Sequence, residues 1–122
     1  MKYEGQKQRE MFDRRRNSWI KNSAYIFNAI FSDASNIEIQ VNSEFSSIEN
    51  AFSYAEKYSK VIGQLPNILR KDVRTVWIHK GKKPFGGGNF NLLIHTDQGD
   101  EYISKGILEE TLIHEASHTS LD

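Results

Sequence analysis

The densest chemistry of the chain lies near its end, in Thr111-Leu112-Ile113-His114-Glu115-Ala116-Ser117-His118-Thr119, which contains His-Glu-x-x-His. On a helix, residues four apart project from one face a turn apart, so His114 and His118 can direct ring nitrogens at one metal ion roughly 2.0–2.1 Å away. Glu115 follows the first histidine directly. Its carboxylate then stands beside the ion rather than on it, where it can take a proton from a metal-activated water. Zinc lowers the pKa of such a water to about 7 and polarises a carbonyl for attack, which is the chemistry of peptide hydrolysis. With four His and ten Glu in 122 residues, a shuffled chain would show the pattern about once in a hundred trials.

Composition narrows the alternatives. The chain carries 16 Lys+Arg against 16 Asp+Glu, is 38% hydrophobic and reads as one small domain over residues 1–122. The absence of cysteine excludes a disulfide framework, a thiolate zinc site, an iron–sulfur cluster and a cysteine nucleophile, so any metal must sit on His, Asp or Glu. The longest apolar stretch, Ser23 to Phe31, is interrupted by Asn28 and is far short of the roughly 20 residues that span a bilayer. Charges at Lys2, Glu4, Lys7, Arg9 and Glu10 do not read as a secretory leader. Residues 1–21 hold seven Lys/Arg against three acids, and residues 97–122 hold one Lys against seven acids. Arg14-Arg15-Arg16, beside Asp13 in a chain of pI near 6.9, reads as a solvated face rather than a nucleic-acid surface. The acidic end suits a cation, and nothing in the sequence assigns a compartment.

The elements that must position the motif follow from periodicity. Residues 6–21 are polar, with Met11, Trp19 and Ile20 as sparse anchors, and fit either a helix or an extended arm. From Ala24 the residues alternate to Ile30, turn at Asp33–Asn36 and alternate again from Ile37 to Val41. This is an antiparallel hairpin whose second strand has one apolar and one polar face. Ser46 or Ser47 can cap a helix carrying Ile48, Phe52, Ala55, Tyr58, Ile62 and Leu65, which Pro66 terminates before a short turn over Asn67–Lys71. Val73–His79 reads as a strand, Gly81–Gly88 as a loop, Phe90–Thr96 as a strand and Asp97–Asp100 as a polar turn. Ile107–Leu121 completes the order as a helix whose buried side is Ile107, Leu108, Thr111 and Leu112. The expectation is an α+β domain with β-β-α-β-β-α order and helices on one face of a sheet packed on one side.

At these residues the sequence resembles the zincin metallopeptidases. More narrowly, WIHKG (Trp77–Gly81), FGGGNFNLLIHT (Phe85–Thr96) and GILEETLIHEASHTSLD (Gly106–Asp122) look like an uncharacterised family of predicted zinc-dependent peptidases. The resemblance covers the second half of the chain, with QVNSEF (Gln40–Phe45) as an extension. It implies the catalytic half of a zincin fold, a peptide or protein substrate, one Zn2+ on His114 and His118, and Glu115 as general base. Zincins need a third protein ligand, and here the sequence stops at Asp122. Leu121 replaces the glycine by which metzincins turn toward that ligand, so the metzincin label does not transfer. Either the domain is cut short at its C-terminal end, or Asp122, four residues past His118, completes the set.

His79 and His95 compete for the ligand role, but an isolated histidine near a strand end is more often hydrogen-bonded or surface-exposed than metal-bound. Gly86-Gly87-Gly88 permits close backbone approach. In zincin-like sites the strand that follows such a loop can pair with an extended substrate, which marks Asn89–Leu93 as a candidate substrate shelf and Gly87, Gly88, Asn89 and Asn91 as substrate-binding candidates; a plain hairpin loop is the alternative. Glu109 and Glu110 read as charges at a helix N-terminus. The rival to a peptidase is a non-catalytic metal-binding or protein-interaction domain. An exposed patch of Ile107, Leu112 and Ile113 would favour a homo-oligomer.

Overall fold

The computed structural model describes residues 1–13, 17–45 and 47–119. Strands β1 (Lys2–Asp13) and β2 (Ser18–Ile30) form a long antiparallel hairpin with a bulge at Gly5. β3 (Asn36–Asn42) pairs antiparallel with β2 over Ala24–Ile30 only. Helix α1 (Ile48–Gly63) and the single turn α2 (Asn67–Arg70) lead to β4 (Thr75–His79), which lies parallel to β3. β5 (Gly86–Gly88) and β6 (Asn91–His95) form a tight antiparallel hairpin, and β6 is parallel to β4. Helices α3 (Thr96–Ser104) and α4 (Leu108–Ala116) follow. The described residues thus form a mixed α+β fold with a six-stranded sheet in the order β1-β2-β3-β4-β6-β5.

Strand alternation divides the core in two. Ile37, Ile39 and Val41 of β3, Val76 and Ile78 of β4, and Leu92 and Ile94 of β6 face the helices and pack with Ala51, Ala55, Tyr58, Ile62 and Leu112. α1 begins where Ser47 Oγ accepts the Asn50 N–H at 3.1 Å and presents Ala51 and Ala55 to the sheet. Ile48 and Phe52, counted in its buried stripe from the sequence, are instead more than a third exposed. The small alanines let helix and sheet approach, and the stripe is centred on them.

The opposite face is also covered, contrary to the one-sided sheet inferred from β3. Residues 18–23 of β2 run beyond the end of β3, and Trp19 meets Trp77 of β4 edge to face at 5.5 Å. Met11, Ala24, Ile26, Trp77 and Leu93 form a second buried cluster there. Under it Gln40 and Asn42 are buried although their types read as solvated. The stretch 6–21 is therefore strand in its described part, and its sparse apolar residues are those that close over the sheet. Arg14–Arg16 and Ser46 lie outside the described residues.

Two further expectations are corrected. Asp97–Asp100 is not a turn but the body of α3, hidden by its lack of an apolar stripe: only Thr96 and Gly99 are buried. A Cβ on Gly99 would stand 3.1 Å from Tyr58 Cζ and 3.2 Å from Phe85 Cζ, so this glycine is a packing contact rather than a helix breaker. The end of the Gly81–Gly88 loop is the edge strand β5. Gly106, at φ +71°, takes the left-handed conformation that ends α3 and starts α4.

Candidate metal centre

α4 starts without a side-chain cap, and Glu109 and Glu110 in its first turn complement the helix dipole. Leu112 and Ala116 anchor its inner side in the core. Because Leu112 is wholly buried, it contributes nothing to the exposed patch expected with Ile107 and Ile113, which are half-buried. The outer side carries His114, with 68% of its side chain exposed. His118 stands just past the last α-helical residue, where its N–H closes a tightened turn on the Glu115 carbonyl at 3.1 Å.

The two imidazoles converge. Their Nε2 atoms are 3.3 Å apart and their centroids 4.7 Å apart. Two ligands of a tetrahedral zinc at 2.0–2.1 Å subtend an edge of about 3.3–3.4 Å, which the separation of the two nitrogens matches. Glu115 Oε1 lies 3.8 Å from His114 Nε2 with its side chain only 15% exposed. It is near enough to serve the same locus from a more sheltered position. Among the described residues no group of three or more His, Asp or Glu could hold a metal together. Asp122, the candidate third ligand, and Leu121 lie outside the described residues.

His79 and His95 do not join the site. They are paired in register at the C-terminal ends of β4 and β6 and stacked with centroids 5.8 Å apart. Both are wholly buried on the sheet face opposite the helices, the face of Trp77 and Leu93. The Asn42 amide donates to His79 Nδ1 at 3.1 Å, and Glu44 Oε1 is 4.0 Å from the same nitrogen. The sheet stands between this row and α4.

The strand expected as the substrate shelf is β6, which is enclosed between β4 and β5 and has no free edge; the edge strand is β5. The glycine segment, unlike the buried histidines, reaches the motif. A Cβ on Gly87 would lie 2.9 Å from the Glu115 carbonyl carbon and closer still to its oxygen, so only glycine lets β5 seat on α4. Asn89 and Phe90 form the two-residue hairpin turn with φ +52° and +65°, both left-handed. Phe90 is held there although it is bulky. Its N–H donates to the Thr119 carbonyl, its carbonyl accepts the Arg74 N–H at 2.9 Å, and the Arg74 guanidinium lies 4.3 Å from its ring. Asn91 Nδ2 donates to the Asn89 carbonyl at 3.0 Å.

Two concavities flank β5. One, of about 340 Å³, lies on the helix side between Phe85, Tyr102, Ile107, His114 and Glu115. The other, of about 210 Å³, lies on the far side between Trp19, Trp77, Leu93 and the glycines. Sequence reasoning missed Phe85, Tyr102, Trp19 and Trp77 as site walls. They come from separate segments, and no local pattern in the sequence joins them. No family model, curated protein or solved structure matches the chain.

Proposed function

We propose that the chain is a zinc-dependent metallopeptidase domain that acts on an extended polypeptide. The reading rests above all on the convergence of His114 and His118 at a separation suited to one zinc, with Glu115 beside them. The resemblance of the motif to zincin sequences supports it. Zinc, when bound, supplies the positive charge that acidifies water and polarises a peptide carbonyl. Glu115 accepts the proton of the attacking water on its carboxylate and returns it to the departing amine. β5, the last strand of the sheet, offers backbone donors and acceptors to a substrate lying alongside it. The close seating of Gly87 on Glu115 fixes the height of that strand over the motif.

The test is zinc content at neutral pH, together with cleavage of unfolded casein, for the purified chain and three variants. His114→Ala and His118→Ala are expected to lose zinc and activity together. Glu115→Gln is expected to keep zinc and lose at least about 100-fold in rate. Among the described residues no group of three or more His, Asp or Glu could hold a metal, and a second reading is a metal-binding domain without turnover. Zinc uptake without cleavage would select it, and absence of zinc would overturn both.

A further inference from the structure

The groove on the far side of β5 has a shape that the chemistry at α4 does not use. Successive residues of a strand point to opposite faces of the sheet. Gly87 points at α4, so Gly86 and Gly88 point the other way, and their missing side chains leave the floor of this groove open. Trp19 and Trp77, set edge to face at 5.5 Å, form its wall, with Leu93 beneath. Its volume of about 210 Å³ is below the roughly 300–1,000 Å³ of a small-molecule pocket and suits a single large side chain. The wall exists only because the β1–β2 hairpin overruns β3 and brings Trp19 across the sheet.

We propose that this groove is a specificity subsite taking one aromatic or large aliphatic side chain of a peptide paired along the outer edge of β5. The inference rests on the edge-strand reading of the function given above. Residues directly opposed on neighbouring strands share a face. A peptide residue opposite Gly87 therefore faces α4 and the histidines, while its neighbour opposite Gly86 or Gly88 enters the tryptophan groove. One strand of substrate is read on both faces of the sheet. The residue adjacent to the one presented to His114 and Glu115 carries the preference.

The test uses the full chain and two blocked pentapeptides, Ac-Ser-Thr-Phe-Thr-Ser-NH2 and Ac-Ser-Thr-Ala-Thr-Ser-NH2, titrated with and without zinc and followed by amide and indole N–H chemical shifts. The Phe peptide is expected to bind at least about tenfold tighter than the Ala peptide and to shift the Trp19 and Trp77 indole signals and the Gly86 and Gly88 amides. Trp19→Ala and Gly88→Val, which remove the wall and fill the floor, should each reduce that discrimination to within about twofold while leaving zinc content unchanged. Trp19 is 59% exposed, so its loss leaves the core intact. Equal binding of the two peptides, binding of neither, or discrimination that survives in both variants overturns the subsite. Failure of the peptidase reading is seen separately, as discrimination that persists in a chain without zinc or cleavage.

Discussion

Replacing Gly87 by alanine tests whether β5 and α4 are seated as described. The added Cβ would meet the Glu115 carbonyl carbon at 2.9 Å and its Cα at 3.3 Å. Carbon atoms pack best at about 3.5–4.0 Å, and the Glu115 carbonyl oxygen is met closer still, so strand and helix must separate by about an ångström. Neither side can yield by rotating a side chain, because every atom met is backbone. The Glu115 carbonyl is also held by the His118 N–H at 3.1 Å, so displacing it disturbs the turn that carries the second histidine. Overpacking of this kind costs about 1–3 kcal/mol. A change of this size lowers the melting temperature of a domain this long by about 3–5 °C per kcal/mol. Misplacement by a fraction of an ångström to an ångström at a reacting centre costs up to about 100-fold in rate, the loss expected in casein cleavage. Far-UV circular dichroism during thermal and urea unfolding measures the first effect. Gly88→Ala, at a half-buried position on the opposite face, serves as the control expected to stay within about 1 kcal/mol of the parent. If Gly87→Ala is as stable as this control, the close approach is wrong, and with it the alignment of the edge strand over the motif.

Three further outcomes are expected. Arg70 is buried and donates to the carbonyls of Gly63 at 2.9 Å and Leu65 at 3.2 Å and to Asp33 at 2.6 Å; Arg70→Met leaves those carbonyls without it and should lower urea stability by about 2–3 kcal/mol. The Ser35 hydroxyl and N–H, and then Arg70, hold the Asp33 carboxyl down at about 2 against an ordinary 3.8. Its contribution is full above about pH 4 and is lost as pH falls toward 2; Asp33→Asn should flatten that part of an acid titration of the unfolding midpoint. Exchange of both His79 and His95 for glutamine should leave the zinc content of the folded protein unchanged, since the sheet separates them from α4; loss of zinc would refute that placement.

What was legible in the sequence follows a physical division. α1 was readable because Ser47, the apolar stripe and Pro66 are local signals, and β3, β4 and β6 because β-branched runs bounded by turn residues are too. The histidine pair was readable because four-residue spacing brings side chains together on a helix, and the turn that carries His118 past the end of α4 keeps them together. What failed depended on distant partners. α3 lacks a stripe because Gly99 meets Tyr58 from another element. Gln40 and Asn42 are buried by a hairpin whose reach no local window contains. The glycine run looked like a loop, yet Gly87 is dictated by Glu115, 28 positions later. The walls of both concavities come from three or more segments, so no single stretch announced them.

The turn at Asn89–Phe90 has a thermodynamic consequence. A bulky residue in the left-handed region costs of order 1–3 kcal/mol and persists only where its surroundings over-determine it. Here one of the restraints is the carbonyl of Thr119, the residue immediately after His118. Steadying of the helix end and steadying of the hairpin are then two sides of one equilibrium. In the proposed enzyme, an ion at the histidines and a strand at the edge would favour each other reciprocally. Each would raise the affinity of the other by the same factor. The left-handed phenylalanine thus joins the site that would hold the ion to the edge that would hold the peptide.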